Sequence, residues 1–335
     1  MYDVGVIGCG VVGNRLAESF DDHERTTVWG ACDVDESKLS AFAEKHDCEA
    51  FADHRDLIAR DEVDVVYVGV PPVHHAAIVR DALESDKHVI CEKPLAENPD
   101  EGQRMVELAA ESEQATAVNL PFRYTPGFVA MRERIEAGEI GQPKRITLDF
   151  RFPRWPREWQ DVDWLRTREQ GGPLREVGTH FLFGVQEIFG PIERVSAEVT
   201  YSAPDRYEES IVGHFAVDDP RGTETGRGGN EVHGTIDLLT DHQQSEENSI
   251  TVVGSQGSLS LLEWYRLVEN RCGDDETVLN DARERTTLTL VDEFVAELDG
   301  EGGDLVSFAE ANRVQRVVDA IFASDGTMRQ IHDSA

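Results

Sequence analysis

The chain is predicted to be an α/β protein of two domains: a doubly wound parallel sheet, then an α/β domain with a mostly antiparallel sheet. Three observations predict this. A short apolar strand at the N-terminus runs into a glycine-rich turn and then a helix-spaced segment. Short apolar strands and helices of about 10–15 residues alternate as far as Phe122. Beyond Phe122 the pattern becomes strands separated by turns, as antiparallel sheets require. At 335 residues the chain has the length for two domains with a substantial core. The predicted boundaries are 1–122 and 123–335.

In order, Asp3 to Ile7 reads as a buried strand, Gly8-Cys9-Gly10-Val11-Val12-Gly13 as a turn, and Asn14 to Phe20 as a helix. In such a turn the first glycine allows the tight bend, the second lets backbone approach a pyrophosphate, and the third lets helix and strand pack closely. The helix N-terminus then offers N–H groups to phosphates. The second strand, Thr27 to Cys32, ends at Asp33, 20 residues after Gly13. A carboxylate there accepts hydrogen bonds from ribose hydroxyls and repels a 2′-phosphate, which favours NAD. Arg55 and Lys38 are candidate phosphate partners that keep NADP open. GxGxxG alone is a weak signal; with its strand, helix and acid it reads as a Rossmann nucleotide site.

Further strands are expected at Val63 to Val70, Lys87 to Cys91 and Thr116 to Leu120, with helices at Lys38 to His46, His75 to Glu84 and Pro99 to Glu113. Gly8, Asp33, Pro71, His75, Lys93 and Asn119 then fall at or just past the carboxyl ends of strands, where doubly wound sheets hold ligands. Cys91-Glu92-Lys93-Pro94-Leu95 closes one of these strands. Proline restricts the lysine before it to extended geometry and reduces the trans preference of the bond to about 0.5–1 kcal/mol. A lysine so held has an aimed ammonium; standing alone, these five residues read rather as a strand end in solvent.

In the second half, a helix is expected at Gly127 to Ala137 and a turn at Gly138 to Pro143. Strands are expected at Arg145 to Phe152, Ile192 to Tyr201, Ser210 to Val217, Glu231 to Leu239, Ser249 to Val253 and Ser258 to Leu262. Closing helices are expected at Leu290 to Leu298 and Phe308 to Ala323. Asp218 to Asn230, rich in glycine and charge, is expected to be a mobile loop. Glu176 lies four residues before His180, so on one helix their side chains share a face. Trp155, Trp159 and Trp164, interleaved with Arg151, Arg154 and Arg157, suit a sugar ring or nicotinamide, and equally core packing or a subunit contact.

The formal net charge of −34 excludes nucleic acid and anionic membranes as natural partners. Only five of 32 basic residues are lysine, an acid-rich, lysine-poor balance expected of a halophile-type protein in a salt-filled cytosol, where screening makes dense carboxylates tolerable. Loss of folding at low KCl is the check on that expectation. Five cysteines without ligand spacing point to no metal and a reducing cytoplasm. No signal segment or long apolar run is present in this sequence.

The chain resembles the Gfo/Idh/MocA family of nicotinamide-dependent oxidoreductases over nearly its whole length. The resemblance rests on Gly8 to Gly13, His75 after Pro71-Pro72, His88 to Leu95 with its Glu-Lys-Pro, and Asn119 through Arg123-Tyr124-Thr125-Pro126. It also rests on Gly138 to Gly141, Gly171 to His180, and the late glycine turn Gly254 to Ser258. It implies a Rossmann domain followed by an α/β domain whose open antiparallel sheet often forms an oligomer interface, here a homodimer or homotetramer. It implies that Lys93 and His180 face the nicotinamide. Three positions depart from the family pattern: Glu176 and Gly184 stand where aspartates are common, and Pro72 where a polar residue is frequent.

The residues suit that chemistry. Histidine takes a hydroxyl proton near neutral pH as hydride leaves the carbinol carbon, and lysine stabilises the developing alkoxide-like charge. The expected function is NAD(P)-dependent hydride transfer to or from a sugar, polyol or related hydroxy compound. Lys93 and His180 are the catalytic candidates, and Glu176, Asn119, Arg123 and Trp164 the substrate contacts. Gly8, Cys9, Gly10, Val11, Val12, Gly13, Asp33, Pro71, His75, Glu92 and Lys93 are the cofactor contacts. The alternatives are a nucleotide-binding sensor without turnover, and an enzyme that keeps NAD bound and cycles its hydride internally.

Overall fold

The computed structural model describes residues 1–160, 162–221, 231–272 and 276–331. Most of the expected mobile loop, residues 222–230, lies outside the described residues. The chain divides into two compact units: Met1–Pro121 with Arg285–Asn312, and Phe122–Glu284 with Arg313–Ala335.

The first unit alternates as β1 (Tyr2–Ile7), α1 (Val11–Asp22), β2 (Thr26–Cys32), α2 (Glu36–His46), β3 (Glu49–Phe51) and α3 (His54–Ile58). It continues through β4 (Val65–Val68), α4 (His75–Leu83), β5 (His88–Cys91), α5 (Pro99–Glu111) and β6 (Thr116–Val118). The strands pair in parallel in the order β3-β2-β1-β4-β5-β6. The order reverses between β1 and β4, and that reversal is where doubly wound sheets open a ligand crevice. Strands covered on both faces read as continuous apolar runs, and all four residues of β4 are buried.

Helix starts follow their caps. Asp35 accepts from the backbone N–H groups of Ser37 and Lys38, which starts α2 two residues before the first periodic position. Asn98 accepts from Glu101 N–H, and Pro99 opens α5.

The second unit holds α6 (Pro126–Glu136), β7 (Pro143–Phe152), α7 (Thr179–Phe189), β8 (Ile192–Tyr201), β9 (Glu208–Asp218), β10 (Glu231–Thr240) and β11 (Glu247–Gly254). Then come β12 (Ser258–Leu262), β13 (Arg266–Asn270), β14 (Thr277–Asn280) and, near the C-terminus, β15 (Arg329–Gln330). Among the described residues nine strands form one open sheet, β14-β13-β12-β11-β7-β10-β9-β8-β15. The pairs are antiparallel except β7 with β10, which run parallel with Arg145 opposite His233. Strand β7 buries Ile146, Leu148, Phe150 and Phe152 on one face, and Phe150 meets Phe181 of α7 edge-on at 5.1 Å. The opposite face carries Arg151 bonded to Asp237, together with exposed Val212, Leu239 and Val253.

Between β14 and β15 lie α8 (Thr286–Leu298) and α9 (Phe308–Phe322), which begins in the first unit and ends in the second. A break near residue 122 assigns everything after it to the second domain, whereas the structure returns Arg285–Asn312 to the first. The reason is local. Ser19 of α1 and Thr287 of α8 share a hydrogen bond at 2.7 Å, and Arg25 makes two bonds to Asp299. Val118 N–H donates to Val306 at 2.8 Å, so the returning chain covers the edge of β6. Among the described residues no helix is long and apolar enough to cross a membrane, and no cluster of three or more His, Cys, Asp or Glu side chains is placed to hold a metal ion.

Candidate active site

The nucleotide turn in the first unit begins where β1 ends. Gly8 has φ of +105°, and its N–H donates to Cys32 at the end of β2. Cys9 N–H donates to Asp33 at 2.7 Å, and Asp35 N–H donates to the other Asp33 oxygen at 2.8 Å. The carboxylate is thus fixed beside the turn, each oxygen keeping a second lone pair for a ribose hydroxyl. Burial and the nearby Asp33 charge push the Cys9 thiol up to about 12, so its place here is steric rather than reactive.

Helix α1 differs from its neighbours. It starts at Gly10 with no side-chain cap and no acid in its first turn, whereas α2 and α5 have both. Its first-turn N–H groups therefore keep their partial positive charge unanswered within the helix. Val11 and Val12 are exposed, and nothing lies within 4 Å of where a Gly10 side chain would start. An open, uncapped helix end beside a fixed acid fits a dinucleotide. Of the NADP candidates, Arg55 is bonded to Asp81 and Lys38 is paired with Asp35.

Lys93 follows β5, and its bond to Pro94 is cis. The residue before it carries the local structure. Glu92 is buried; its Oε1 accepts from Tyr67 Oη at 2.9 Å and from Asn119 Nδ2 at 2.7 Å. Its Oε2 accepts from Lys93 N–H at 3.3 Å. Burial raises the Glu92 pKa, while those donors and the Lys93 charge oppose the rise. Asn119, read as a substrate contact, thus spends its amide on Glu92, and Glu92 itself holds the lysine loop. His75, read as a cofactor contact, is fully buried: Nε2 faces Val70 O at 2.7 Å, and Nδ1 faces Pro94 O and Leu95 O. It ties the loop after β4, which includes Pro71, to the lysine loop. Burial lowers its pKa.

In the second unit His180 is the second residue of α7, and Glu176 lies just before, on a single π-helical turn, Leu174–Gly178. One-turn π segments recur at functional sites. Glu176 is half-buried and accepts from Gln160 at 3.3 Å. His180 is buried, with its ring 5.0 Å from Trp264 and 6.2 Å from Phe122. Arg123, read as a substrate contact, lies over Phe183 and bonds Glu187 at 3.2 Å, which ties it to α7. Of the tryptophans, Trp155 is core, bonded through Nε1 to Leu165 O; Trp159 is exposed and Trp164 half-buried.

Glu208, at the start of β9, gave no sequence signal. It is fully buried, its Oε1 accepts from Leu174 N–H at 2.7 Å, and it thereby holds the first residue of the π turn. Burial pushes its pKa up to about 7, against the Leu174 N–H and the Arg175 charge. Below the ordinary carboxyl range the group is neutral in both folded and unfolded chain. Between that range and about 7 the unfolded chain ionises first, so this contribution to stability is lost as pH rises. Glu208→Gln keeps the acceptor oxygen and removes the charge. It is expected to be more stable than the parent by about 2 kcal/mol at pH 8 and near-equal at pH 5, read from urea midpoints.

Residues 2–120 match the model of an oxidoreductase family with an NAD-binding Rossmann fold, and residues 128–260 match the C-terminal domain model of the same GFO/IDH/MocA family.

The chain belongs to the Gfo/Idh/MocA family.

Among relatives, the dTDP-3,4-didehydro-2,6-dideoxy-alpha-D-glucose 3-reductase of Saccharopolyspora spinosa is 33% identical over 196 residues, 56% of this chain and 58% of that protein. The inositol 2-dehydrogenase of Rubrobacter xylanophilus is 35% identical over 144 residues, 42% of this chain and 41% of that one. The chain spans about half the length of the curated relatives it matches. An oxidoreductase from Thermotoga maritima has the same fold, with TM-score 0.85 at 22% identity over 98% of both chains. Levoglucosan dehydrogenase, in complex with NADH and L-sorbose, gives 0.84 at 17% over 99% of both.

As a Gfo/Idh/MocA protein the chain has an NAD-binding Rossmann domain. A side chain at Gly184 would start 2.8 Å from Phe128 and 3.1 Å from Phe122, so aromatic rings fill the space beside it. The longer Glu176 has Gln160 to hold it.

Proposed function

We propose that this chain is an NAD-dependent oxidoreductase acting on a carbinol or carbonyl carbon of a sugar, polyol or related hydroxy compound. The observation that carries this reading is the position of Lys93. It stands at the carboxyl end of β5, on the sheet edge that carries the nucleotide turn and Asp33, with its loop held by Glu92 and His75. The relatives named for an inositol and for a dTDP-sugar support the substrate class. When bound, NAD supplies the hydride acceptor or donor. Lys93 binds the reacting oxygen and offsets the negative charge that grows on it as the C–H bond breaks. His180 takes the hydroxyl proton in oxidation and returns it in reduction. Glu176 binds a neighbouring hydroxyl, and Asp33 binds the adenosine ribose and disfavours a 2′-phosphate.

The test is a panel of inositols, aldoses, sugar acids and keto-sugars with NAD and NADP, run on the parent and on Asp33→Ser. The parent is expected to turn over at least one compound with NAD preferred by about tenfold or more, a bias of about 1.4 kcal/mol. Asp33→Ser is expected to erase most of that preference. A folded, nucleotide-bound protein that turns over nothing sinks the reading and favours a nucleotide-dependent sensor.

A further inference from the structure

We propose that Trp264 is a positioning residue for His180, holding the imidazole in the orientation that proton transfer needs. The inference rests on the reading of His180 as the acid/base.

Strands β12 and β13 are joined by a tight turn closed by Tyr265 N–H to Leu262 O at 3.1 Å. Its two central residues are Glu263, with φ of +49°, and Trp264, with φ of +75°. Consecutive left-handed residues form the turn that Asn-Gly makes without strain. A bulky aromatic there is a conformational outlier. Such strain persists only where surrounding contacts fix it, and here the contacts are aromatic. The indole lies 5.0 Å from the His180 ring at 68°, 5.4 Å from Phe122 at 82° and 5.3 Å from Phe181 at 65°. Phe122 and Phe181 are fully buried and Trp264 is half-buried.

The edge-on arrangement decides the role. Ring pairs prefer offset or T-shaped geometries, so an indole at 68° restrains rotation of the imidazole about its terminal torsion, which is otherwise broad. His180 sits at the first turn of α7, and the backbone there sets only where the ring begins, not which way its nitrogens face. Phe122, at 6.2 Å and 44°, is a second, more distant wall on the same ring. The strained hairpin thus places an edge-on indole against the imidazole and restrains its plane. A residue that only filled the core could stand on a strand, with Asn-Gly closing the turn.

The experiment compares Trp264→Phe and Trp264→Leu with the parent, reading kcat, KM, NAD affinity, the thermal midpoint and the ¹⁵N imidazole resonances of His180. For Trp264→Leu, kcat is expected to fall about tenfold to hundredfold, the scale of a misplaced catalytic group, with KM and NAD affinity within about threefold. Trp264→Phe is expected to recover most of that loss. The His180 resonances are expected to shift and broaden in Trp264→Leu without substrate present. Three results overturn the proposal: kcat unchanged in a folded Leu variant, KM rising with kcat intact, or activity tracking the thermal midpoint across both variants. If the parent turns over nothing, the proposed function fails on its own, and the imidazole resonances still decide whether the indole orients the ring. Should the Leu variant not fold, the Phe variant carries the same resonance test, with a smaller shift supporting the proposal and none overturning it.

Discussion

Lys93→Met is expected to lower kcat by about 10²–10³ while leaving the NAD dissociation constant within about threefold. Methionine keeps the length and apolar stem and removes only the ammonium. The backbone bond from residue 93 to Glu92 Oε2 is retained, so the loop keeps its anchor. Loss concentrated in kcat is the mark of an interaction made in the transition state rather than with bound substrate. The substitution also removes a positive charge that opposes the raised pKa of buried Glu92, so that carboxyl is expected to move further up. Steady-state kinetics with calorimetric NAD titration checks the first point. A kcat within about tenfold of the parent would assign the chemistry to another group.

The second large effect is Gly13→Ala. An ideal Cβ at Gly13 falls 2.0 Å from the carbonyl oxygen of Gly8 and 3.2 Å from its carbon. Both atoms are backbone, so no side chain can swing aside; α1 or the turn must move. Overpacking of this kind costs about 1–3 kcal/mol or more, and it displaces the N–H groups that meet the phosphates. NAD affinity is expected to fall about a hundredfold, equivalent to about 2.7 kcal/mol, with a lower thermal midpoint. Gly10→Ala separates the two causes. Nothing lies within 4 Å of its Cβ, so the fold is expected to keep its midpoint while NAD binding weakens through the methyl alone. Equal NAD affinity in the parent and Gly13→Ala would refute the turn as the pyrophosphate site.

Much of the first unit was legible because its signals are local. The glycine turn, the acid after β2 and the helix-strand alternation each occupy consecutive residues, and the structure has all of them. Strand β3 and helix α3 were not, since three and five residues carry too little periodicity to register. In the second unit β7 to β12 could be read, but the short strands β13, β14 and β15 could not, nor could the strand order: nothing in Arg145 to Phe152 shows that it lies parallel to Glu231 to Thr240.

The candidate site was legible by residue type and less so by role. His75, Asn119 and Arg123 make hydrogen bonds to Val70 and Pro94, to Glu92, and to Glu187. Those partners lie 5 to 64 residues away in sequence, and only folding joins them. Glu208 looked like any strand acid among 66 acidic residues. Trp264 was hidden for the opposite reason: a Glu-Trp pair is a poor signature for a tight turn, so the strain that marks it appears only in the backbone.

The return of Arg285–Asn312 to the first unit has a consequence for how the protein is made. A ribosome that has released the glycine turn, Asp33 and Lys93 has still not released the helix that covers α1 or the segment bonded to β6. The nucleotide domain therefore stays unfinished, with one sheet margin bare, until Arg285–Asn312 emerges, and strands β7 to β14 of the second sheet emerge in the interval.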